Sequence, residues 1–210
     1  MNLKERCDHG KKDEDILVEK CKNILSIEIT PGNFGSERDR KNKIDGDIVF
    51  KDLYPFKKFS YDLKGFKGRG DGNFYVNAIT INNEPYGILE SLADLYIWPD
   101  EERKKYYCIT SYIVKKFIID NCTGLLGFNF MRKNNSKDQP HWYYGIEKSL
   151  LLPKVTFIID TENNTYIETE HREYKWNNLE QIINSLNLND FNKQFKDITF
   201  ILKENKEKTM

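Results

Sequence analysis

Asp62-Leu63-Lys64 carries the strongest chemical signal in the chain. The run from Lys58 to Phe66 alternates Phe59, Tyr61 and Leu63 with Ser60, Asp62 and Lys64, which predicts a strand. Residues two apart on a strand project to one face, so the Asp62 carboxylate and the Lys64 ammonium are expected side by side. Leu63 turns its side chain inward in that reading and leaves its carbonyl near the same place. Upstream, Asp47 lies in a short apolar run, Ile44 to Phe50, that a hairpin would lay beside the first. Asp47, Asp62 and the Leu63 carbonyl then make a hard-oxygen set suited to Mg²⁺ or Mn²⁺. A lysine beside them can polarise an attacking water or offset the charge that builds on a phosphate. Such a set hydrolyses a phosphodiester, with Asp47, Asp62 and Lys64 as the catalytic residues.

Residue type alone does not single out this place. Acid-x-Lys occurs five times, starting at Asp39, Asp62, Glu102, Glu173 and Glu204, close to what composition alone produces. Only at Asp62 does it lie in an alternating apolar strand, after an Asp-bearing strand and before a basic glycine-rich loop. That loop, residues 65–72, carries Lys67 and Arg69, which are candidates for phosphate contact. The bland alternative is a solvated sheet face with an ordinary cross-strand ion pair, which contributes only about 0.2–1 kcal/mol. His141, in the aromatic segment Gln139 to Tyr144, is read as loop packing ahead of base stacking.

The elements that must position these groups are legible as patterns. Leu17, Cys21, Ile24 and Leu25 recur at helical spacing behind Asp13, a candidate N-cap. After the two strands, Tyr86 to Ala93 reads as a helix end, and Asp94 to Trp98 and Tyr106 to Thr110 as strands. Ser111 is read as the cap of a helix reaching Asp120, with Val114, Phe117 and Ile118 inward. Leu151 to Ile159 reads as a late strand, and Trp176 to Leu186 as an amphipathic helix. This succession predicts an α/β fold. The expected division is a polar tail over 1–12, one domain over 13–200 and a charged tail over 201–210. Within the domain, a core spans about 13–120 and an elaboration 121–200.

Lys plus Arg and Asp plus Glu each number 33, so bulk basicity gives no argument for nucleic-acid binding, and any polyanion site must come from local clustering. Four cysteines without a CxxC pair, no apolar leader and no long apolar run predict a soluble, cytoplasmic protein.

Taken together, the helix, Asp45-Gly46-Asp47-Ile48-Val49-Phe50, Ser60-Tyr61-Asp62-Leu63-Lys64-Gly65, Ala93 to Trp98 and Tyr106 to Ile119 resemble the PD-(D/E)xK nuclease superfamily. That resemblance implies a restriction-endonuclease-like core, a mixed central β-sheet flanked by helices. It implies a metal-dependent nuclease acting on nucleic acid, with DNA the expected substrate, metal on Asp47 and Asp62, and water assisted by Lys64. Two departures stand out. Gly46 occupies the position of the motif's proline, and Asp45 competes with Asp47 for the first acid role. Some members add an acid from the first helix, for which Glu14 and Glu19 both qualify. A homodimer would supply the two sites that duplex cutting needs. The alternatives are a non-catalytic nucleic-acid-binding module on the same fold, and a nucleotidyl-transfer enzyme using Asp45-Gly46-Asp47 as a DxD metal pair.

Overall fold

Strands β1 (Ile27–Pro31), β2 (Gly46–Phe50) and β3 (Lys57–Leu63) form an antiparallel meander in which Asp47 faces Ser60 and Gly46 faces Tyr61. The structure is a computed structural model that describes residues 3–33, 35–53, 57–64, 72–121, 131–135 and 140–209. After β3 the chain leaves this sheet to make β4 (Asn73–Thr80), then returns as β5 (Leu95–Pro99), parallel to β3 with Asp62 beside Tyr96. β6 (Lys105–Thr110), β9 (Phe157–Asp160) and β10 (Thr165–Glu168) follow antiparallel, completing a seven-stranded mixed sheet ordered β1-β2-β3-β5-β6-β9-β10. β4 pairs instead with β8 (His141–Glu147), and β8 with β7 (Met131–Asn134), in a separate three-stranded sheet.

Both faces of β5 are buried, which explains its unbroken apolar sequence. On one face Leu95 and Ile97 join Ile48, Phe59 and Tyr61 under helix α1 (Leu3–Cys21), which contributes Leu17 and Cys21. On the other, Tyr96 and Trp98 meet Phe74, Val76, Trp142 and Tyr144 of the small sheet. Helix α3 (Ser111–Asp120) adds Ile113, Val114 and Ile118 to that second core. α2 (Glu37–Asn42) is a short turn of helix ahead of β2, and α4 (Lys148–Leu151) follows β8. α5 (Trp176–Ser185) and α6 (Leu188–Lys208) close the chain, α6 sending Phe195 and Leu202 into the second core. A mixed sheet flanked by helices is the fold class that the sequence predicts. No described helix is long and apolar enough to cross a membrane.

Several boundaries differ from expectation for physical reasons. α1 starts at Leu3, well ahead of Asp13, and α6 runs through most of the segment expected to be a charged tail. The α3 cap is Thr110, whose hydroxyl accepts from the Ile113 N–H at 3.3 Å, and not Ser111. The late apolar run is divided because Pro153 lies in a 3₁₀ turn over Leu152–Lys154, leaving only Phe157–Asp160 as strand. His141 begins a strand instead of lying in a loop.

Candidate active site

The β2–β3 ladder extends one residue beyond β2, with the Asp45 N–H donating to the Tyr61 carbonyl at 2.8 Å. Asp45 therefore stands at the end of the pair, and its carboxylate accepts the Leu63 N–H at 2.5 Å. Beside it, Asp62 and Lys64 project together as the strand period requires, joined by an ion pair. Their side chains are 9% and 17% exposed, so the pair is largely withdrawn from water. The Lys64 ammonium also lies 4.8 Å from the centre of the buried Tyr96 ring. From α1, buried Glu14 adds a third carboxyl whose charge is felt by Asp45.

These acids perturb one another. Burial, reinforced by the negative charges of Asp62 and Glu14 and opposed by Lys64 and the Leu63 N–H, pushes the Asp45 carboxyl up to about 8. Burial likewise carries Glu14 up to about 7, reinforced by Asp39, Asp15 and Asp62 and opposed by Lys11. Acids raised first by burial and then by neighbouring carboxylates mark a candidate functional site.

Asp47 has a different environment. Arg38 grips its carboxylate with both guanidinium nitrogens, at 2.5 and 3.0 Å, and the Lys58 ammonium lies 3.0 Å away. The Arg38 hydrogen bonds, followed by those of Lys58, hold the Asp47 carboxyl below the ordinary carboxylate range. Helix α2 sets Arg38 in place, capped by the Ser36 hydroxyl, which accepts from the Asp39 N–H. Asp45 thus stands with Asp62 and Glu14, whereas Asp47, the residue favoured by the hairpin argument, is paired with two cations. Gly46, between the two aspartates, is tightly packed, since a Cβ there would meet the Thr30 carbonyl at 2.5 Å and the Tyr61 hydroxyl at 2.6 Å.

Of the expected site residues, Asp62 and Lys64 come together. Leu63 takes part through its N–H. Lys67 and Arg69 lie outside the described residues. Asp45 and Glu14 were named by the sequence only as alternatives; Arg38 and Lys58 were missed, because a charged stretch does not disclose which acid its arginine will reach. Among the described residues, no three His, Cys, Asp or Glu side chains lie close enough to hold a metal ion as they stand. The donor chemistry nonetheless fits a hard cation: Asp45, Asp62 and Glu14 offer carboxylate oxygens withdrawn from water, with Lys64 the cation paired to Asp62.

No family model matches the chain, and no curated protein matches it. Among solved structures the chain is similar to D212, a nuclease from a fusselovirus, at 11% identity, over 68% of this chain and 82% of that one, with a TM-score of 0.27. An overlap that slight carries no argument about this chain. Its chemistry has to be read from its own residues.

Proposed function

We propose that this chain is a metal-dependent nuclease that hydrolyses phosphodiester bonds, with DNA as its substrate. The observation that carries the reading is the Asp45 carboxylate seated on the Leu63 N–H, where Asp62 and Glu14 crowd it and Lys64 is the adjoining ammonium. Asp45 and Asp62 would hold Mg²⁺ or Mn²⁺, with Glu14 completing the set from α1. The cation supplies charge that offsets the negative charge developing on the phosphate. The Leu63 N–H fixes the Asp45 carboxylate, and the ladder to Tyr61 keeps it at the sheet end. Lys64, beside Asp62, would orient a water or accompany the leaving oxygen. Phosphate contacts by Lys67 and Arg69 and a homodimer with one site per strand belong to the same reading. A cytoplasmic setting agrees with Cys21 and Cys108 being free thiols.

One observation favours the non-catalytic module: the Asp62–Lys64 ion pair is closed, and no three acids stand at ligand spacing among the described residues. Incubation with supercoiled plasmid and single-stranded oligonucleotides in Mg²⁺, Mn²⁺ or EDTA separates the two. Nicking that EDTA and Lys64→Ala both abolish, with nucleic-acid affinity kept, supports the nuclease. Binding without cleavage in either metal leaves the module.

A further inference from the structure

The small sheet presents a second polar surface. Alternation along β8 sends Trp142 and Tyr144 into the core and leaves His141, Tyr143 and Gly145 on the opposite face. Across the ladder, β4 sets Tyr75 opposite Gly145 and Asn77 opposite Tyr143. A bulge between Asn77 and Ile79 then re-aims the strand. Against that bulge lies Gly87, at φ +57°, where a Cβ would meet the Asn77 carbonyl at 2.3 Å; only glycine permits this approach.

The result is a row of rings. Tyr86 lies 5.9 Å from His141, His141 6.1 Å from Tyr143, and Tyr143 5.5 Å from Tyr75, centre to centre. Tyr75, Tyr86 and Tyr143 are half-buried, and buried His141 holds them in line. Gly145 leaves room for Arg132 beside Tyr75: a Cβ there would sit 3.1 Å from the Tyr75 ring and 3.3 Å from the Arg132 Nε. A cavity of about 270 Å³ opens against Tyr75, Tyr143 and His141, bordered also by Lys133, Asn134 and Asn135. Lys43, two residues before Asp45 in the chain, lies over Tyr86 at 5.3 Å and links that end of the row to the Asp45 segment. Two acids are near, Glu90 at 3.8 Å from Lys43 and Glu147 at the far end of β8. Arg132, the cross-strand partner of Tyr143, sets a cation on the middle of the face between them.

Ring faces accept any base, amide side chains match base edges, and cations meet phosphates. A duplex hides its base faces, so the combination suits a strand whose bases are open. We infer that this face is a stacking platform for unpaired nucleotides, which feeds a single-stranded segment of the substrate toward Asp45 and Asp62. The choice of a nucleic-acid occupant rests on the nuclease reading; the platform itself does not require cleavage.

The test is fluorescence anisotropy in EDTA, so that no strand is cut, with an oligothymidylate of about 12 nucleotides, within the span of known single-strand sites. An oligouridylate and a duplex of the same length are the other probes. The expected result is tighter binding of either single strand than of the duplex. Tyr143→Ala should weaken single-strand binding by about 5- to 150-fold, the range that loss of one stacked base gives. Tyr143→Phe should restore it, and Tyr75→Ala should repeat the loss. Equal affinity for duplex and single strand, or wild-type affinity in both alanine variants, overturns the platform. Binding lost on Tyr143→Ala in a chain that cuts nothing keeps the platform and removes the catalytic reading. Cutting with unchanged Tyr143→Ala binding does the reverse.

Discussion

Asp45 and Asp47 are two residues apart at one end of the same strand pair, yet their surroundings are opposite. Asp47 is enclosed by Arg38 and Lys58, and its carboxyl is held low. Asp45 is withdrawn from water with Asp62 and Glu14 near it, and burial first and those charges second push its carboxyl up to about 8. Proximity in sequence therefore says little about role; burial and the partners each carboxylate finds decide. An acid matched by cations contributes to stability, whereas an acid crowded by acids lowers stability and creates demand for a cation from solution.

The largest expected effect tests that division directly. Asp45→Asn should reduce metal-dependent cleavage by on the order of 10²–10⁴-fold, the scale on which loss of a catalytic group is felt. Asp47→Asn should stay within about tenfold of the wild type in the same plasmid-nicking assay. Comparable losses in both variants would break the comparison.

Stability should divide the other way. Asp47→Asn leaves Arg38 and Lys58 against a neutral amide and should cost about 1–2 kcal/mol in urea unfolding. That is below the figure for a fully buried pair, because both cations are about half exposed or more.

The dependence on pH sharpens the contrast. The folded Asp45 binds its proton more tightly than the unfolded chain does, so it makes stability fall as pH rises from about 4 to about 8. Asp45→Asn should flatten that fall and raise Tm near pH 8 by a few degrees, since each kcal/mol is worth about 2–4 °C at this size. Mg²⁺ should raise Tm more at pH 8 than at pH 6, because the cation competes with the proton. Asp47 has the opposite sign: its contribution is complete above the ordinary carboxylate range and is lost as pH falls through its lowered value.

The smallest effect belongs to Lys58→Met, where a 64% exposed ammonium should give less than about 1 kcal/mol in the same unfolding measurement.

How much of this was legible follows from the range of each signal. Alternation is local, so β3 and the shared face of Asp62 and Lys64 could be read directly. Capping is also local, and missed only by one residue at Thr110. The choice between Asp45 and Asp47 depends on Arg38 reaching Asp47 from α2, a tertiary contact that strand periodicity does not encode. The aromatic run at His141 was misread because its alternation begins only after Pro140, and its partner β4 lies far away in the chain. Helix α6 was missed since its polar residues dominate, and burial of Phe195 and Leu202 against the small sheet overrides composition.

The chain departs from the large sheet after Lys64 and rejoins it at Leu95, having laid down β4 in the interval. The small sheet is thus spliced into the connection between the two strands that carry Asp62 and Tyr96, and it is finished by β7 and β8 much later. Neither sheet corresponds to a contiguous fragment that could be excised intact. Melting is accordingly expected as a single cooperative event, in which loosening of β4 is registered at Lys64 as readily as at Tyr143.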